Sequence, residues 1–186
     1  MLSDTEIRKL VANGGLKIEP ELSDDCFQPV SIDLHLAGDF AQYVFAGNSK
    51  FAVIDPTRSP NWLHNAADVN KFNSGQLLLG PKNFMLGRTA ERISLANHLA
   101  ARVEGKSTLG RCGLAVHITA GFIDPGFEGH ITLELFNFTK HPILLTAGMK
   151  ICQLAIEMVQ GEVSRPYGHN ELGSKYQHQT GVTPAK

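Results

Sequence analysis

The chain is poor in the features that mark several large classes of protein. Of its 186 residues only three are cysteines (Cys26, Cys112 and Cys152) and one is tryptophan. An odd, widely spaced set of thiols makes no disulfide framework and suits a reducing compartment. Cys112 and Cys152 stand among apolar neighbours and are expected to pack. No stretch approaches the roughly 18–20 apolar residues a bilayer span needs. The opening MLSDTEIRKLV has early acids and no apolar core, so no signal peptide is expected. A formal net charge of −1 leaves no basic excess for holding nucleic acid. A cytoplasmic protein with neither nucleic acid nor membrane as partner is the default.

What is present is an ordinary globular composition, 42% apolar and 19% charged, enough for one domain over residues 1–186. A helix opens it. Ser3 can cap, Glu6 three residues later completes a capping-box pattern, and Ile7, Leu10 and Val11 form the apolar stripe before Gly14-Gly15. In QPVSIDLHL (28–36) Val30, Ile32, Leu34 and Leu36 alternate with Ser31, Asp33 and His35, the period of a half-buried strand. Further strands are expected over 51–54, 76–79, 83–86, 100–104, 114–119, 130–138, 143–145 and 150–158, punctuated by Pro81, Gly87, Pro125-Gly126, Pro142 and Gly148. Residues 58–73 read as a loop with one helical turn around 66–72. Strands so spaced, without interleaved helices, make a mainly β fold, an antiparallel sandwich or barrel. The last residues, about 168–186, are polar and Gly-rich. They read either as a loose tail or as a mobile segment that closes over a ligand with Lys175, Tyr176 and Gln179.

Three constellations carry chemistry. In HITLELF, Glu134 shares a strand face with Thr132 and Phe136. Beside an aromatic it would be desolvated, which raises a carboxyl pKa and suits a general base; on the wet face of an edge strand it would be an ordinary exposed acid. In GKSTLGR (105–111) backbone amides, the Ser107 hydroxyl and the cations Lys106 and Arg111 suit phosphate oxygens, although the Walker spacing is absent and a capped helical turn fits equally. In TAGFIDPGFEG (119–129), Asp124 stands between Phe122, Ile123 and Phe127. It can orient a water or a metal-bound phosphate, or cap a tight turn. Zinc-dependent deaminases pair a His-x-Glu with Pro-Cys-x-x-Cys, and this chain has no Cys-x-x-Cys, so zinc is not expected.

GKSTLGR, TAGFIDPGFEG and HITLELFN, with QPVSIDLHL before them and GSKYQHQTG near the end, resemble the dCTP deaminases of the dUTPase-like superfamily, in order, over about residues 28–183. The resemblance implies a distorted β-barrel-like fold with a short N-terminal helix. It also implies a homotrimer with sites between subunits, dCTP as substrate, Mg²⁺ carried on the triphosphate and dTTP as an inhibitor. The family's catalytic glutamate falls on Glu134, with Ser107 and Arg111 as its partners. Lys106, Ser107, Thr108, Leu109, Gly110 and Arg111 match the phosphate-binding run. Thr132 and Leu133 match the base-contacting strand, and Gln153, Tyr167, Lys175 and Gln179 the triphosphate contacts.

Two chemistries occur in that family. One type stops at dUTP and carries a loop like TAHRIDPGW; the other continues to dUMP and diphosphate and carries TAGFIDPGF or TAGWIDAGF. Gly121-Phe122 matches the second pattern, and Asp124 the aspartate that orients a water toward the α-phosphate. GSKYQHQTG also resembles the bifunctional actinobacterial ending. The expectation is a dUMP-forming enzyme. A deaminase that stops at dUTP, a plain dUTPase and a nucleotide-binding regulatory module are the alternatives.

Overall fold

The computed structural model describes residues 1–44, 53–55, 57, 63–64 and 68–185. In chain order the elements begin with α1 (Asp4–Asn13) and β1 (Leu16–Glu19), then a single 3-10 turn (Asp24–Cys26), β2 (Phe27–Gln28), β3 (Ser31–His35) and β4 (Asp39–Val44). There follow β5 (Val53–Ile54), β6 (Leu63–His64), β7 (Asp68–Asn73), β8 (Gln76–Leu79), β9 (Phe84–Leu95) and β10 (Leu99–Gly105). The chain continues through α2 (Ser107–Arg111), β11 (Leu114–Ala115), β12 (Phe122–Ile123), β13 (Glu128–Asn137), β14 (Ile143–Thr146) and β15 (Lys150–Met158).

Two antiparallel sheets hold the molecule together. One runs β11-β13-β9-β4-β7, with β1 also on β9; the other runs β12-β10-β15-β3-β2. β8 pairs with β14 and β5 with β6 as separate ribbons. Ile93, Leu133 and Leu135 from the first sheet and Ile32, Leu154 and Ile156 from the second join one buried apolar cluster, which Ile7 of α1 completes. The fold is mainly β, as the strand periodicity implied. No helix among the described residues is long and apolar enough to cross a membrane.

α1 begins as its sequence dictates. Ser3 Oγ accepts from the Glu6 amide at 3.4 Å, and Gly14 ends the helix at φ 79°. The Glu6 carboxylate turns instead to Lys9, at 2.7 Å.

Several expectations need correction. The helical turn around 66–72 is overturned at its described residues: 68–73 form β7, paired along β4, with Phe72 against Phe40 at 5.9 Å between ring centres. The edge of β4 offers a ladder, and a buried phenylalanine rewards taking it. Residues 58–62 and 65–67 of that expected loop, and 51–52 of the expected strand 51–54, lie outside the described residues. The strand begun at Asn83 passes straight through Gly87 to Leu95. The strand expected over 114–119 stops at Ala115. β3 is not half-buried: Ser31 and Asp33 are 7% and 3% exposed, because β2 and β15 flank the strand and its polar face has found partners. Cys112 is exposed, at the C-terminal end of α2, while Leu109 turns to the core; Cys152 is buried as expected.

Candidate active site

β13 sets the first group of side chains. Its alternation sends Ile131, Leu133 and Leu135 into the core and turns Thr132 and Glu134 the other way. Glu134 is half-buried, and its Oε2 accepts from the amides of Ile118 at 2.7 Å and Thr119 at 3.0 Å. This is why the strand ends at Ala115: the loop after it spends its amides on the carboxylate and not on a ladder. The two donors fix the position of Glu134 without a side-chain cation.

The loop can sit so close because residue 121 is glycine. A Cβ there would stand 2.8 Å from Cε1 of His117 and 3.0 Å from the Val103 carbonyl oxygen. The His117 ring fills that space, and its Nδ1 is buried without a hydrogen-bond partner. Phe122 follows as an exposed lip, 62% accessible, and pairs with Arg102 of β10. Asp124 then opens a tight turn, its carbonyl accepting from the Phe127 amide at 3.1 Å.

Phe122, Asp124, Thr132, Glu134, Tyr167 and Gln179 all line one cavity of about 310 Å³. Aromatic rings form much of its remaining wall. Tyr43 and Phe84 stack at 6.5 Å with 3° between their planes, and Phe127 meets Tyr167 at 5.8 Å. Burial raises the Tyr167 and Tyr43 hydroxyls above the ordinary phenol range. The 310 Å³ is a size that suits a nucleoside-sized ligand.

The other half of the expected residues gathers elsewhere. Gly105, Lys106, Ser107, Thr108, Gly110 and Gln153 line a more open cavity of about 420 Å³. β3 supports it from below. Asp33 accepts from Lys106, and Lys150 stands 3.6 Å away; Ser31 Oγ donates to Gln153 Oε1 at 3.2 Å. Gln153 in turn donates to the Gly105 carbonyl at 3.3 Å.

The sequence-derived set is therefore divided. Glu134 and Asp124 share one cavity, Ser107 and Lys106 the other, and Arg111 and Lys175 are exposed and line neither. Leu133 is fully buried, so any ligand contact it makes is through its backbone. The tail carries one His-x-Glu, residues 169–171, but His169 Nδ1 accepts from the Glu171 amide at 3.3 Å and no cysteine pair accompanies it. Burial pushes the Cys152 thiol far above its usual range, which keeps it an inert core group.

Sequence reasoning missed the supporting layer: Asp33, Ser31, and the buried pair in which Glu91 accepts from His35 Nδ1 at 2.6 Å. The signal was available in the strict polar alternation of Ser31, Asp33 and His35.

Comparison with known proteins gives relations of three kinds. The family model described as dCTP deaminase-like matches residues 1–159. A Corynebacterium jeikeium protein named "dCTP deaminase, dUMP-forming" is 48% identical over 186 residues, 100% of this chain and 96% of its own length. Its namesake from Corynebacterium efficiens is 46% identical, over 100% of this chain and 93% of its own. Among solved structures, the 2'-deoxycytidine 5'-triphosphate deaminase of Agrobacterium tumefaciens superposes with a TM-score of 0.62 at 25% identity. That match covers 88% of this chain but only about half, 49%, of the Agrobacterium chain.

Proposed function

The chain belongs to the dCTP deaminase-like family, and from that premise we propose that it converts dCTP to dUMP, releasing ammonia and diphosphate. The observation that carries the reading is that Glu134 and Asp124, one acid for each hydrolysis, line the same cavity behind the Gly121-Phe122 lip.

Two waters are consumed. In the first step Glu134 takes a proton from water as its oxygen attacks C4 of cytosine, then delivers a proton to the departing amine. The two loop amides on Oε2 hold the carboxylate so that its other oxygen serves the reaction. Ser107 and Arg111 position the water and balance the developing charge. In the second step Asp124 orients a water against the α-phosphorus, and diphosphate leaves. Thr132 and the Leu133 backbone meet the base, while Lys106 to Gly110, Gln153, Tyr167, Lys175 and Gln179 hold the triphosphate.

The division of these residues between two cavities supports a homotrimer with sites between subunits, in which one subunit's Lys106–Arg111 run faces its neighbour's Glu134. The nucleotide enters as its Mg²⁺ complex. Among the described residues no group of three or more His, Cys, Asp or Glu is placed to hold a metal ion, and Asp33 is already held by Lys106 and Lys150. dTTP, a pyrimidine triphosphate without the reactive amine, competes for the site, and the enzyme works in the cytoplasm.

The deciding experiment incubates purified protein with dCTP and Mg²⁺, separates the nucleotides and counts ammonia and diphosphate. dUMP with one diphosphate per ammonia supports the proposal. Accumulating dUTP without diphosphate overturns the second step and the weight placed on Gly121-Phe122.

A further inference from the structure

The last residues of the chain form a strap. The His178 amide donates to the Glu128 carbonyl at 2.7 Å, and the His130 amide donates to the Gln179 carbonyl at 3.0 Å, so the strap pairs with the start of β13. The approach is tight. A Cβ at Gly129, which sits at φ 155°, would stand 3.1 Å from the Gln179 nitrogen. The Gln179 side chain donates to the His130 carbonyl and accepts from Thr132 Oγ1 at 3.4 Å. From there the strap passes to β4. Val182 is 5% exposed against Ala41 and Leu86, and the Ala185 amide donates to the Tyr43 hydroxyl at 3.3 Å. Tyr176, Gln179, Thr183 and Ala185 thereby become wall of the cavity that holds Glu134.

A charged relay underlies this strap across three adjacent strands. Asp39 on β4 accepts from Arg88 Nε on β9 at 2.7 Å. Arg88 Nη1 donates to the Thr89 carbonyl at 2.9 Å and stands 2.9 Å from Nδ1 of His130 on β13, a nitrogen that also lies 3.1 Å from the Glu91 carbonyl oxygen. Asp39 Oδ2 also accepts from the strap, from the Val182 amide at 3.3 Å. Burial followed by the Arg88 charge disfavours the charged imidazole and holds His130 below its ordinary value. The relay thus grips the strap at both ends: Asp39 at Val182, and Arg88 through His130, whose backbone carries Gln179. Neither Asp39 nor Arg88 lines the cavity.

We propose that Asp39 and Arg88 are positioning residues that hold the C-terminal strap closed over the nucleotide cavity, setting affinity for the substrate without touching it. Ordering the strap beforehand removes that cost from binding. The inference rests on the dCTP reading for its substrate but not for its mechanics.

The test uses the full chain and two readouts. Hydrogen exchange of residues 174–185 without nucleotide reports the strap; dCTP saturation kinetics report its use. In Asp39→Ala the strap is expected to exchange about tenfold faster and KM for dCTP to rise about tenfold, with kcat within about twofold, the signature of lost uniform binding. Arg88→Lys keeps the pair with Asp39 but loses the fork to His130, and falls between. If Asp39→Ala does not fold, Asp39→Asn keeps the side chain's shape but removes its charge, and is expected to shift both readouts the same way to a smaller extent. Wild-type exchange in the strap overturns the proposal, as does a fall in kcat at unchanged KM. A protein that turns over no dCTP refutes the functional reading instead, and the exchange result then decides the latch alone.

Discussion

Replacing Gly121 by alanine tests the loop geometry behind Glu134. The added methyl would sit 2.8 Å from His117 Cε1 and 3.0 Å from the Val103 carbonyl oxygen. The first neighbour is a ring whose movement is limited by burial; the second is backbone of β10. Retreat is restricted too, since the Gly121 carbonyl accepts from the Val103 amide at 2.7 Å and Phe122 and Ile123 pair with Arg102 and Ala101. Overpacking of this kind costs about 1–3 kcal/mol. For a chain of this size that lowers the melting midpoint on the order of 5 °C. The same displacement moves the Ile118 and Thr119 amides off the Glu134 carboxylate. Hydrogen bonds to a charged group are worth about 1.5–3 kcal/mol, so losing one misplaces the base and slows ammonia release by about tenfold or more. Calorimetry and an ammonia assay read both effects. Adding His117→Ala should recover part of the melting loss, leaving the share due to Val103. Unchanged melting and unchanged ammonia release in Gly121→Ala would refute the reasoning, because the loop would then have slack that the distances deny.

Glu134→Gln is expected to bind dCTP but release no ammonia; mixing it with Ser107→Ala subunits and reassembling should restore up to about a quarter of the sites if each lies between neighbours. No recovery in that assay would argue that every site is built from a single chain. Asp124→Asn should depress diphosphate release more than ammonia release, so dUTP accumulates; equal loss of both products would make Asp124 a folding residue. For pH, His130 is held below its ordinary value of 6.5, so the unfolded chain binds its proton first as pH falls. Its contribution to stability is complete above about pH 6.5 and declines below it. Melting midpoints of wild type and His130→Asn should therefore converge as the buffer is acidified, and parallel curves would contradict the assignment.

Much of the fold and site was legible because it is local. Ser3 caps α1 through a neighbour three residues away, and the alternation in β13 places Glu134 whatever surrounds it. What was missed depends on distant partners. Asp33 looked solvent-facing because nothing near it in sequence could neutralise it; Lys106, which does, is 73 residues on. Ser31 is satisfied by Gln153, 122 residues away. β7 carries Lys71 and Asn70 and no apolar period, and only pairing with β4 makes it a strand. GKSTLGR and Glu134 stand out in the sequence, but a linear reading cannot tell that they line different cavities of one chain.

The pairing of Lys106 with Asp33 changes how the second cavity meets a polyanion. Lys106 and Lys150 suggest a strongly electropositive surface, yet Asp33 sits between them and Asp25 holds Lys150 at 2.7 Å. The Lys150 ammonium beside it draws the Asp25 carboxyl down to about 2, so the acid stays ionised throughout the physiological range. Two cations are matched by two anions, so Lys106 and Lys150 themselves add little net field at a distance. These two lysines therefore offer a polyanion little attraction at a distance. Discrimination falls to short-range geometry, which ionic strength screens far less than it screens a diffuse positive patch.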